Sequence, residues 1–191
     1  MFRSKDGQYA RERAAEYATC KDFQQIFNEE MVGLHQLAYL LTADTDQAEQ
    51  CFVAGLEDSI HGNPVFKQWA RAWSKRAIIQ NAIKIIAPVP GGDGAQIIAV
   101  LDPRNGSAEG KPLVSTVTGW PTFERFVFVM SVLEGYSLRE CSTLLGCKVL
   151  DVIAAKSAVL QRLAAEPAQA AAASELAGTP WNTLLARAQV A

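Results

Sequence analysis

The chain is poor in the residues that hold metals or act as nucleophiles. Among its 191 residues are four cysteines and two histidines. Cys20, Cys51, Cys141 and Cys147 contain no Cys-x-x-Cys pair, and His35 and His61 do not complete a ligand cluster, so zinc and redox motifs are absent. The cysteines read as structural: Cys141 and Cys147 sit at apolar phases of a helical pattern, where a free thiol behaves as a small hydrophobe. His35, in VGLHQLAYLL, reads as a helix-face residue. There is no Gly-x-Ser-x-Gly, no glycine-rich phosphate loop and no His-Glu-x-x-His. We therefore expect no enzyme, no cofactor and no metal.

Two further shortages narrow the class. No run of roughly 18 apolar residues occurs, and the opening MFRSKDGQYARERAAEYATCKD is polar and mixed in charge. Neither a membrane span nor a secretory signal is read here, and a cytoplasmic protein without a membrane partner is expected. Excess positive charge is missing as well: 18 Lys and Arg face 20 Asp and Glu, a net charge of -2. Any nucleic-acid surface must then be local, because phosphate binding rests on neutralisation by Lys and Arg.

What is present is a helical pattern around enough apolar residues, 49% of the chain, to fill a core. From Asp22 to Leu41 the apolar residues Phe23, Ile26, Phe27, Val32, Leu34, Leu37, Ala38, Tyr39 and Leu41 recur mainly at three and four, which predicts one amphipathic helix. Asp44 or Thr45 caps a second helix that runs to about Ile60 and stops at His61-Gly62-Asn63-Pro64. A third runs from Val65 to Ile86. Residues 88–119 collect Gly and Pro and read as a linker, in which AQIIAVLD and LVSTVTG are short strands or segments lying against a domain.

A second helical group follows: Thr122 to Leu133, Ser137 to Leu145, and Val149 to about Ala165. Ser137 with Glu140 forms a capping box, and Gly135 and Gly146 stand where helix ends call for a left-handed residue. The expected organisation is all-α in two small domains: an extension (1–21), a helical domain (22–87), the linker (88–119), a helix-turn-helix domain (120–165) and a tail (166–191) with a short helix carrying Trp181, Leu184 and Leu185.

WPTFERFVFVMSVLEGYSLRECSTLLGC resembles region four of the extracytoplasmic-function sigma factors of bacterial RNA polymerase. Pro121, Glu124, Arg125, Val127, Phe128, Leu133, Glu134, Gly135, Tyr136, Ser137, Glu140, Leu145 and Gly146, then Val149 and Val152, carry the likeness. FQQIFNEEMVGLHQLAYLLTADTDQAEQ is similar to region two through Phe23, Leu37, Ala38, Leu41, Thr42, Ala48 and Glu49. The resemblance implies a regulator of transcription initiation that binds core RNA polymerase and promoter DNA, with an anti-sigma factor as a further partner. It also implies strand-opening residues in the third helix and a recognition helix over 149–165.

The residues themselves point two ways. No acidic residue falls between Asp58 and Asp93. Lys67, Arg71 and Lys75 follow one another at i, i+4, with Arg76 and Lys84 adding charge and with Trp69 and Trp73 beside them, a pairing of cations and aromatics that suits stacked single-stranded bases. The alternative is that both tryptophans fill the core and the cations coat a solvated face. In the helix-turn-helix, Arg139, Lys148, Lys156 and Arg162 are the expected DNA contacts, together with Lys67, Arg71, Trp73, Lys75 and Arg76 in the third helix.

The recognition face of Leu150, Ile153, Ala154, Ser157 and Ala158, however, is largely apolar. At the polymerase-gripping helix, Gln50, Cys51, Phe52, Val53 and Ala54 stand where the family usually carries an Asp-Leu-Val-Gln-Glu type of run. Glu49, Gln50, Val53, Leu150 and Ile153 are accordingly the expected polymerase or partner contacts. The second reading is a sigma-like protein that works through protein contacts with little DNA binding.

Overall fold

The structure is a computed structural model and describes residues 16–92 and 113–165. The fold is all-α. Among the described residues there are eight α-helices: α1 (Cys20–Glu29), α2 (Met31–Thr42), α3 (Thr45–His61), α4 (Ala70–Ile86), α5 (Leu113–Thr118), α6 (Thr122–Phe128), α7 (Leu138–Leu145) and α8 (Val149–Ala165). A 3₁₀ turn over Lys67–Trp69 leads into α4, and a π turn over Val129–Leu133 continues α6. One isolated antiparallel bridge joins Tyr17 to Phe66.

Local chemistry starts most of these helices. Thr19 and Asp22 form a capping box at α1, and Ser137 and Glu140 form the expected one at α7. The Asp44 carboxylate accepts the Gln47 N–H at 2.8 Å, capping α3. Gly135 and Gly146 take φ of 72° and 63°, the left-handed conformation their positions called for.

Two readings of the sequence are corrected. The helix expected over Asp22 to Leu41 breaks at Glu30, whose φ of −106° and ψ of 16° leave the helical region. The break lets α1 and α2 each turn an apolar side inward, and Val32, counted in the apolar series, is left 54% exposed. The second concerns LVSTVTG. Of its two readings the strand fails and the segment lying against a domain holds: it is helical as α5, and Val117 is buried in the core, where tertiary burial outweighs β-branched propensity. AQIIAVLD and the tail helix expected over 166–191 lie outside the described residues.

The helices before and after the 93–112 segment share one continuous hydrophobic core. Leu34, Leu37, Leu41 and Ile78 belong to the same cluster as Phe126, Phe128, Met130 and Val152, all 1% exposed or less. Helix α6 is central to it: Phe123, Phe126, Val127 and Phe128 are buried on every side, the pattern of a helix packed from more than one direction. Gly55 permits a close approach of α3 to α4, since a Cβ there would stand 2.7 Å from Ile78 Cγ1.

Arg125 is the polar counterpart of that core. Its guanidinium is 5% exposed and donates to Leu41 O at 3.2 and 3.1 Å, to Thr42 O at 3.4 Å and to Thr118 O at 3.1 Å. These carbonyls close α2 and α5, where the helix ends carry partial negative charge and have no partner within their own helix. Next to them Ala43 closes α2 with φ of 57°, a conformation that costs a non-glycine residue about 1 kcal/mol. The buried charge therefore holds a strained turn and two helix ends together.

Candidate functional site

A groove of about 850 Å³ runs between α4 and the corner that precedes α7. Phe66, Trp69 and Trp73 line it on one side, Tyr136 on the other, and Arg71, Lys75, Arg76, Glu30, Glu134 and Glu140 supply its charges. The 3₁₀ turn displays Trp69, which is 55% exposed and meets Phe66 edge-on at 5.3 Å. Phe66 in turn stacks on Tyr17 at 4.6 Å. Trp73 Nε1 is buried and meets no hydrogen-bond acceptor among the described residues. Burial pushes the Tyr136 hydroxyl up to about 12, so the phenol stays protonated and able to donate.

Of the third-helix cations expected to touch DNA, Arg71, Lys75 and Arg76 converge on this groove with Trp73, while Lys67 stands beside it on the 3₁₀ turn. The acid-free stretch of sequence does not stay acid-free in space. Lys67 Nζ lies 3.8 Å from Asp22, Arg71 pairs with Glu29 at 2.8 Å and with Glu30, and Lys84 lies 3.3 Å from Asp58. Lys75 Nζ lies 3.0 Å from Glu134, whose side chain is only 5% exposed. Arg76 makes no ion pair with a described residue, although it is near enough to Tyr136 and Glu140 to act on both electrostatically.

The π turn is what delivers Glu134. The Glu134 N–H bonds Val129 O at 2.9 Å, one residue further back than an α-helix would reach, and Tyr136 N–H bonds Met130 O at 2.9 Å. Glu134, Tyr136 and Glu140 belong to the groove but were missed as site residues, because nothing local in the sequence ties them to α4. Trp69 was visible: it precedes Trp73 by one helical turn.

The helix-turn-helix corner holds the second set of predicted contacts. Ser142 Oγ donates to Cys147 O at 2.6 Å across Gly146, and Lys148 N–H donates to Asp151 at 3.1 Å at the start of α8. Val152, Ala155, Val159 and Leu163 bury one side of α8. Arg139 and Lys148 are exposed and Lys156 is half-buried, none with an ion pair to a described residue. Arg162 is occupied, 2.9 Å from Glu124, whose carboxyl is held above the ordinary range by burial and drawn back by that arginine. None of these four lines the groove of α4.

The predicted partner contacts lie on outward faces. Glu49, Gln50 and Val53 share a shallow strip of α3 with Asp46, Ala54 and Glu57, and Val53 is 49% exposed. On α8, Leu150 is 73%, Ile153 41% and Leu160 46% exposed, an apolar seam opposite the buried side.

Two of the thiols, Cys51 and Cys141, are buried in the core. Burial pushes Cys51 and Cys141 up to about 11, and no group of three metal-binding side chains occurs among the described residues. No described helix is long and apolar enough to cross a membrane. Comparison of the chain with protein-family models, with curated proteins and with solved structures finds no match.

Proposed function

We propose that this chain is a sigma-like regulator of transcription initiation that acts mainly through protein contacts and touches promoter DNA weakly. The observation that carries this is the contrast between its two expected DNA elements. On α4 and the turn before it the cations Lys67, Arg71 and Lys75 are matched by carboxylates, and on α8 the face that would read base edges exposes Leu150, Ile153 and Leu160. Base readout needs polar and basic side chains, whereas exposed large apolar side chains along one helix suit a protein partner. Core RNA polymerase is the partner for the α3 strip of Glu49, Gln50 and Val53, and an anti-sigma factor is the alternative occupant of the α8 seam.

A stronger role for promoter DNA is favoured by one specific feature: the aromatic groove of Trp69, Trp73 and Tyr136, with Arg76 at its side. The two readings separate in one experiment. The chain is mixed with purified bacterial core RNA polymerase and, separately, with fork-junction and duplex DNA at two salt concentrations. Retention on polymerase that falls in Val53→Glu, with DNA binding that is weak and shallow in salt, is the expected result. Absence of polymerase retention, or tight duplex binding that falls steeply with salt and with Lys156→Ala, overturns it.

A further inference from the structure

Glu134 is the one groove carboxylate that combines deep burial with a position in the second helical group. Its two oxygens lie 3.0 and 3.4 Å from Lys75 Nζ, on the side of α4 that also carries Trp73 and Arg76. The carboxylates that hold Arg71 differ in kind. Glu29 and Glu30 come from the α1–α2 break and their side chains are 45% and 24% exposed. Exposed pairs of that sort are worth little and yield to salt or to a competing phosphate, whereas a pair with one member nearly dry is screened far less.

We propose that Glu134 is a built-in competitor for the phosphate of a single-stranded nucleic acid, an autoinhibitory contact in which the second helical group fills the anion position at Lys75 and holds the groove at low affinity. The rest of the groove has the parts a strand needs. Trp69 offers an exposed ring, Phe66 braces it edge-on, and Trp73 Nε1 has no acceptor among the described residues. Arg76 supplies a guanidinium without an ion pair to a described residue. Arg71 is held only by exposed carboxylates, so Lys75 is the groove cation that a buried carboxylate withholds from phosphate.

The π turn explains how the contact is maintained. Glu134 is anchored by its N–H on Val129 O and followed by Gly135 with φ of 72°, so the backbone sets the direction in which its side chain leaves the turn. The inference rests on the nucleic-acid reading of the groove, and the test keeps the two apart.

A dye-labelled single-stranded oligothymidine is titrated with the full chain, with Glu134→Gln, with Glu134→Ala and with Glu134→Gln/Lys75→Ala, at two salt concentrations, and each variant is melted. Both single variants are expected to bind on the order of tenfold more tightly than the parent, with a salt slope steeper by about 0.7 because Lys75 then neutralises one more phosphate. The double variant is expected to fall back to the parent. Single variants that bind like a parent with measurable affinity overturn the competitor alone, as does an increase in affinity that survives in the double variant. Absence of binding by every form overturns the groove reading together with it. Loss of the folded state in both single variants also overturns it, because Glu134 then serves the fold.

Discussion

Helices α6 and α8 come from the same stretch of sequence and treat their apolar residues in opposite ways. In α6, Phe123, Phe126, Val127 and Phe128 are all buried, and Arg125 among them spends its charge on helix-end carbonyls. In α8, Val152, Ala155, Val159 and Leu163 face inward, while Leu150, Ile153 and Leu160 face out. A helix enclosed on all sides belongs to the architecture, whereas a helix with a second, exposed apolar side presents surface of the kind that interfaces use. Hydrophobicity alone does not separate these roles, and the neighbours of each helix do.

The comparison is tested most severely at its buried end. Phe126→Ala should cost about 3–5 kcal/mol, read as a fall in the denaturant midpoint, because the ring sits in the core shared by both helical groups. If that core were two independent ones, only part of the unfolding transition would move. Arg125→Met keeps the length of the side chain and removes its donors. It should cost about 2–3 kcal/mol through the unpaired carbonyls of Leu41, Thr42 and Thr118, again by denaturant melting, and an unchanged midpoint would mean the guanidinium is dispensable. At the other end, Leu150→Lys should move stability by no more than about 0.5 kcal/mol, since that side chain is 73% exposed. A large loss of stability there would show that the outer seam of α8 is covered after all.

How legible this was depended on distance along the chain. Ser137 with Glu140, Asp44 as a cap, and Gly135 and Gly146 at helix ends were readable because each acts within a few residues of itself. The break at Glu30 was not. Apolar spacing continues across it without Pro, and the turn is supported from outside by Arg71, which reaches both Glu29 and Glu30. The α4 cations were read as a basic face because no acid lies near them in sequence, yet Glu134 meets Lys75 across 59 residues. The β-branched residues of α5 left a short strand and a segment lying against a domain both open, and burial of Val117 decided for the second. The outward seam of α8 was legible as an apolar recognition face, since a period of three and four marks two sides of a helix as readily as one.

The extra residue in the Val129–Leu133 turn also bears on how such a chain could change over generations. Deleting one residue between Val129 and Glu134 would restore ordinary α-helical winding, with the Glu134 N–H then four residues from the same Val129 carbonyl. A single codon lost from this stretch would therefore leave Glu134 on its Val129 anchor and beside Lys75. The Lys75 contact is thus indifferent to one residue of length here and hangs on what stands at position 134, which makes the identity of that residue the quantity to follow among related chains.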